Sequence, residues 1–278
     1  MMAEGWKVYN RAAIPTVPPH EKPDVTFVET GAVWKEPGVW LARWTTDFDC
    51  GRETEFWYVL KDTPFDLAAL KAKRRYEINK GCKNFDVRII DPTEYKEELY
   101  GIRVAAFSAY PKKYRPTVDK NKLFEEIDGW NNDAVFGAFS KETGALSGYA
   151  TLSRTNVSCV SFDVLKTVPE SEPLAINAAL VFAILEYYCS FLENGGYICD
   201  GARVTNHETH FQDYLEKYFG FRKAYCRLHL AYHPKIRWIV RMLYPMRGAL
   251  RKLDCIGMVH RINAILKMEE WSRKDAVK

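Results

Sequence analysis

Three sets of side chains have the types and spacing for proton-transfer chemistry. His207 and His210 stand three apart at the start of a segment that reads as helix, so they share a face. An imidazole near the positive end of a helix can serve as a neutral base around physiological pH; simple packing and hydrogen bonding at the helix start is the alternative. The pair lacks HExxH spacing and a third ligand, so no metal site is expected. Asp200 and Arg203 follow a short apolar strand. Ligands of open α/β sheets favour the carboxyl ends of strands, so Asp200 could orient an amine or act as base. Arg203 could receive a phosphate or carboxylate, and an ion pair that merely holds the turn is the competing account. Asp163 stands inside the apolar run 157–165. A carboxylate there must be paired, face a cleft, or lie at an exposed edge.

Two further features concern charge. Lys71, Lys73, Arg74, Arg75 and Lys80 make one helix basic, and Lys112, Lys113 and Arg115 follow in a proline-bracketed loop. Such patches meet nucleotide phosphates, transfer RNA or anionic glycans, unless they are only a solvated face. Residues 235–252 hold six basic residues and no acid, interleaved with Trp238, Ile239, Leu243, Tyr244 and Leu250. Two amphipathic helices broken near Pro245 fit this pattern. Their apolar faces could pack on the domain, on a second subunit in a homodimer, or on an anionic membrane surface through residues 235–266.

The elements that must position these groups follow from patterning. Strands are expected at 25–34, 39–46 and 54–60, a meander rich in β-branched and aromatic residues. A helix over 65–79 ends at Gly81, and a strand over 85–90 leads to Asp91-Pro92, an N-cap with proline in the first turn. Helices over 93–109 and 118–131 precede strands at 134–140, 146–154 and 157–165. A long apolar helix over 173–193 stops at Asn194-Gly195-Gly196 before a strand at 197–199. Thr205-Asn206-His207-Glu208 reads as a capping box for a helix to Tyr218, and 221–232 is the last strand. Disorder is expected only in the first twenty residues or so and the last few. The division implied is 1–82, 83–233 and 234–278.

From Phe85 the order β-α-α-β-β-β-α-β-α-β resembles the GNAT acyltransferase superfamily. Lys73-Arg74-Arg75-Tyr76-Glu77-Ile78-Asn79-Lys80-Gly81 is similar to the basic helix preceding the catalytic domain in its Fem-like, acetyltransferase-like branch. Asp200-Gly201-Ala202-Arg203, a capped helix, and Lys217-Tyr218-Phe219-Gly220-Phe221 resemble a second signature of that branch. The resemblance covers roughly residues 65–232. It implies an α+β fold with a mixed sheet, the GNAT-like acyl-CoA N-acyltransferase fold, here with an N-terminal β-meander and C-terminal amphipathic helices.

The same resemblance implies roles. Tyr214 and Tyr218 lie where many of these enzymes carry the tyrosine that protonates the leaving thiolate. Acyl-CoA as co-substrate would sit along Leu165, Lys166, Thr167, Ser171 and Asn177. Arg203, Asn206, His210, Arg74 and Arg75 would meet the acceptor, an amino-sugar, glycan or small amine. Catalysis would fall to Asp163, Asp200, His207 and one of the two tyrosines. The stretch Val168-Pro169-Glu170-Ser171-Glu172-Pro173-Leu174 departs from the family pattern. It has no glycine, and two prolines and two acids stand where a pyrophosphate would meet backbone N–H groups. Fem-like enzymes depart similarly and use aminoacyl-tRNA, which keeps tRNA open as the alternative donor. A degenerate GNAT fold that only binds a partner or membrane is the non-enzymatic reading.

Composition sets outer limits. The chain has 278 residues, 47% hydrophobic and 27% charged, enough for a sizeable core. A net charge of +4 is mild. The seven cysteines are odd in number and include no CxxC pair, which favours free thiols in a reducing compartment. The first residues lack the apolar stretch of a secretory signal, so a cytoplasmic location is expected.

Overall fold

The computed structural model describes residues 3–110, 115–204 and 210–277, residues 276 and 277 by backbone only. In chain order the elements are β1 (Trp6–Tyr9), β2 (Ala12–Pro15), α1 (Thr26–Glu29), β3 (Leu41–Thr46), β4 (Phe56–Lys61), α2 (Ala72–Asn84) and β5 (Phe85–Ile89). Then come α3 (Lys96–Ser108), α4 (Lys120–Asp128), β6 (Ala134–Ser140), β7 (Leu146–Arg154), β8 (Cys159–Thr167), α5 (Ile176–Tyr187), α6 (Cys189–Glu193) and β9 (Tyr197–Ala202). The chain closes with α7 (His210–Phe219), β10 (Arg222–Tyr232), α8 (Pro234–Leu243), α9 (Arg247–Arg251) and α10 (Gly257–Val277). The mixed α/β class expected from the sequence is the class found.

Two compact units share these elements. The first takes Met1–Val59, Ala202–Asp213 and Arg222–Lys278, and the second takes Leu60–Gly201 and Tyr214–Phe221. In the first, β1 and β2 pair antiparallel, β2 runs parallel to β3, and β3 pairs antiparallel with β10 over Leu41–Thr46, with β4 beyond. Successive β3 residues serve opposite faces. Leu41 joins Phe56, Leu228, Met268 and Trp271, so α10 covers that side. Ala42 joins Trp6, Ala13, Val28, Val33 and Val39 on the other.

The N-terminal expectations need two corrections. Residues 25–34 are helical rather than a strand: α1 and a 3-10 turn at Ala32–Lys35 meet at Gly31, whose φ is 74°. Burial of Val28 and Val33 overrides the β propensity of the valines. The segment 6–15, within the stretch expected to be disordered, is ordered. It forms the β1–β2 hairpin, turned by Asn10 and Arg11 with φ of 48° and 65°, the two-residue turn with both φ positive. The Arg11 guanidinium lies 4.3 Å over the Trp40 ring.

The second unit has three layers. Its strands run in the order β9-β8-β7-β6-β5, antiparallel except for the parallel β8–β9 pair. On one face Tyr149 packs with Leu99 and Ile102 of α3 and Leu123 and Ile127 of α4. On the other lies α5, which buries Ile176, Ala178, Ala179, Leu180, Val181, Ile184 and Leu185. The helix expected over 173–193 is divided. A 3-10 turn occupies Pro169–Leu174, and the helix breaks at Tyr188, whose buried hydroxyl donates to Asp133 at 2.6 Å. Asp133 also takes two bonds from Arg154, at 2.9 and 3.2 Å.

Helix α2 crosses the start of α5 at Gly81. A Cβ there would lie inside contact distance of the Ala175 carbonyl and 3.0 Å from the Ala179 nitrogen, both backbone. Gly101, inside α3, has nothing within 4 Å of its Cβ position. Urea unfolding should therefore separate the two. Gly81→Ala is expected to lose about 1–3 kcal/mol through overpacking. Gly101→Ala should gain roughly 0.5–1 kcal/mol from helix propensity.

Candidate functional site

The second unit opens where β8 leaves β9. Only Cys159, Val160 and Ser161 pair with Tyr197, Ile198 and Cys199. Beyond Ser161, β8 runs on to Thr167 alongside β7 alone, and β9 runs on to Ala202. The β7–β8 register slips at this point: Thr151 faces Val164 while Leu152 faces Phe162, which leaves Asp163 as the extra residue of a bulge. A bulge re-aims a side chain, and here it leaves the Asp163 carboxylate exposed beside the buried Phe162. Asp163 is exposed, and Ser153 Oγ donates to its Oδ2 at 2.5 Å. Asn132 Nδ2 in turn donates to Ser153 Oγ at 3.0 Å. Next along, the hydroxyls of Thr155 and Ser161 are 3.1 Å apart. Sequence reasoning found Asp163 but not Ser153, Asn132 or Ser161. The available signal was a serine on each of two adjacent strands, which becomes informative only once the register pairs Ser153 with Ser161.

Beyond the bulge lie the positions expected to hold a cofactor. Leu165 is half-buried, and the Lys166 ammonium sits over the rings of Phe107 and Tyr110 at 5.2 and 5.9 Å. Thr167 is buried, and its hydroxyl donates to Asn177 Oδ1 at 3.2 Å. Ser171 is buried within the 3-10 turn. The N–H groups of Ser171 and Ala175 are taken by the carbonyls of Val168 and Glu172. Ala175 caps α5 with φ of 63°. An anion would therefore find turn amides already bonded and Glu170 and Glu172 close by in sequence.

Helix α7 gathers a second group. Arg74 of α2 stacks its guanidinium 3.7 Å over the Tyr218 ring, and Tyr214 and Tyr218 stand 5.0 Å apart. Glu77, Ile78, Ala178 and Phe219 complete the walls of this narrow crease. Nη1 of Arg74 is buried there without a hydrogen-bond partner. Burial, then the neighbouring Glu77 and Tyr218, push the Tyr214 phenol well above the usual tyrosine range. Arg75 is engaged with the Ala68 carbonyl at 2.9 Å.

The other expected site residues fall elsewhere. Asp200 is half-buried on β9 in the second unit. Arg203 belongs to the first unit, where its guanidinium lies between the indoles of Trp57 and Trp271 at 4.1 and 4.0 Å. It bonds the Glu55 carbonyl and pairs with the Glu55 carboxylate at 3.5 Å. His210 is exposed at the start of α7. Asn206, His207 and the rest of the capping box lie outside the described residues, as do Lys112 and Lys113.

No protein-family model and no curated protein matches the chain. Solved structures do. FemX aligns over 78% of this chain and 78% of its own, at 10% identity and a TM-score of 0.54. L-PGS from Bacillus licheniformis aligns over 86% and 83%, at 13% identity and a TM-score of 0.50. The fold is the GNAT fold in its Fem-like form. The chain spans 66% of the DUF2156 C-terminal domain from Agrobacterium fabrum and 61% of a tandem GNAT protein from the clavulanic acid biosynthesis pathway, at TM-scores of 0.43 and 0.38.

The environment of Tyr214 is open to direct measurement. In a spectrophotometric titration, the difference between the parent and Tyr214→Phe should show no phenolate step near pH 10, the ordinary tyrosine value. The step should come only at higher pH, because burial beside Glu77 disfavours the phenolate.

Proposed function

We propose that this protein transfers an acyl or aminoacyl group from an activated carboxyl donor to an amine, with Asp163 as the base. The observation that carries the proposal is the bulge: it sets an exposed carboxylate, steadied by Ser153, where β8 parts from β9. In the step, the amine nitrogen attacks the acyl carbon, the new C–N bond forms and the bond to the leaving oxygen or sulfur breaks. The amine proton passes to Asp163, and the leaving atom takes up a proton in exchange.

Of the two donors, an aminoacyl ester of tRNA is the better supported. A coenzyme A pyrophosphate would need the turn before α5, where the amides of Ser171 and Ala175 are already bonded and two glutamates add like charge. Meanwhile Lys71 and Lys73 at the start of α2 are exposed and make no ion pair among the described residues. The acceptor is then an amine small enough to enter beside β8, on an amino-sugar, a glycan or a small molecule.

Parallel calorimetric titrations with acetyl-coenzyme A and with total aminoacylated tRNA test the donor. Binding of charged tRNA with a steep salt dependence, its slope reduced by about 2 in Lys71→Ala/Lys73→Ala, is the expected result. Saturable acetyl-coenzyme A binding without tRNA binding would reverse the choice. With the donor in hand and a panel of amines, Asp163→Asn should slow transfer at least about a hundredfold while leaving donor affinity unchanged. Full activity in that variant would remove Asp163 from the mechanism.

A further inference from the structure

Helix α8 carries two apolar stripes, only one of which is used by the fold. Ile236, Val240 and Leu243 recur at the spacing of one helix face; Val240 is buried and the other two half-buried. Trp238, Ile239 and Met242 occupy a different face and are 69%, 49% and 65% exposed. Met246 carries the outward apolar surface into the following turn at 56% exposure. Large apolar side chains gathered on one exposed helix face mark an interaction surface rather than ordinary scatter.

The charges around the stripe select the partner. At 3.6 residues per turn, Arg237 and Arg241 flank Trp238 and Met242 on one side, and Lys235 lies one turn before Trp238 and Ile239, within the stripe itself. Between Lys235 and Lys252 there is no acidic residue. Arg247 and Arg251 share one carboxylate, that of Glu270. Lys235, Arg237, Arg241 and Lys252 make no ion pair among the described residues. The surface therefore combines tryptophan, isoleucine and methionine with cations that form no ion pair among the described residues, along one helix. No helix among the described residues is long and apolar enough to cross a membrane.

We infer that α8 docks the protein on the surface of an anionic lipid bilayer, with Trp238, Ile239 and Met242 entering the headgroup region. Lys235, Arg237 and Arg241 then meet lipid phosphates. The tryptophan suits this position because its ring is apolar while its N–H stays in the polar layer. Docking of this kind adds no requirement on the donor or on Asp163, so it stands or falls apart from the transferase proposal.

Flotation of the full chain with vesicles of phosphatidylcholine and phosphatidylglycerol at 3:1, against phosphatidylcholine alone, tests the inference. Binding is expected to the mixed vesicles, weakening as salt rises, with little to the neutral ones. Trp238→Ala/Met242→Ala and, separately, Lys235→Glu/Arg241→Glu should each lower partitioning at least about tenfold. Circular dichroism of both variants, whose substituted side chains are exposed, checks that the fold is kept. Equal binding to both vesicles, no binding to either, or unchanged binding in the variants would overturn the inference. So would a dimer by sedimentation velocity that Trp238→Ala/Met242→Ala abolishes, since a second copy would then be what covers the stripe.

Discussion

The organisation of the second unit depends on a parallel strand pair that stops after three residues. Backbone N–H and C=O groups are normally satisfied by continuing the ladder, yet β8 and β9 part beyond Ser161 and Cys199. The parting is anchored on both sides. On β7, Gly148 has no room for a Cβ, which would press on Thr167 and on Ile176 at the start of α5, so helix and sheet approach closely there. On the opposite face, Tyr149 is fully buried between α3 and α4, and its hydroxyl takes a bond from Arg103 at 3.1 Å. With β7 held from both faces, the extra residue at Asp163 is absorbed by β8. Bend, exposed carboxylate and strand opening are thus one event in the backbone.

A second regularity is how the protein keeps its cations. Arg74 lies on Tyr218, Arg203 between Trp57 and Trp271, and Lys166 near Phe107 and Tyr110. A cation over an aromatic face is stabilised by the ring quadrupole without a carboxylate being spent on it. For Arg203 burial still pulls the guanidinium pKa down, partly opposed by Glu55. Arg74 differs, because a buried nitrogen is left unbonded beside two tyrosines. The basic segment 71–80 therefore divides into side chains built into the fold and lysines left in water. Only the latter suit a long-range attraction for polyanions.

The legible part of the sequence was the part governed by local periodicity. Strands β5 to β8, α3 and α4, β10 and the break in the C-terminal helices near Pro245 follow from alternation, helical spacing, Asp91-Pro92 and Gly144. What was not legible was set by contacts distant in sequence. The β1–β2 turn is made by Asn10 and Arg11 without a glycine, so nothing local announces a hairpin. The valines of 25–34 suggest a strand until Ala13 and Ala42 supply a surface to bury them on. In the candidate site, Asp163 was visible as a carboxylate out of place, whereas its partner Ser153 depends on a register shift that no single strand encodes. Tyr214 and Tyr218 were visible as a pair, but Arg74 joins them only through the packing of α2 against α7 within the second unit.

The C-terminal segment shows why a hydrophobic pattern can underdetermine its own use. Residues 235–252 could be read from the sequence as packing on the domain or as resting on a membrane, as if the two excluded each other. The helix resolves this by angle. Ile236, Val240 and Leu243 turn inward, and that burial fixes the rotation of α8. Once the rotation is fixed, Trp238 and Met242 have no inward path and must face outward with Arg237 and Arg241 beside them. The same burial that anchors α8 therefore creates the cationic apolar stripe. Substitutions that loosened the inward face would be expected to spoil the outward one as well, because the stripe has no orientation of its own.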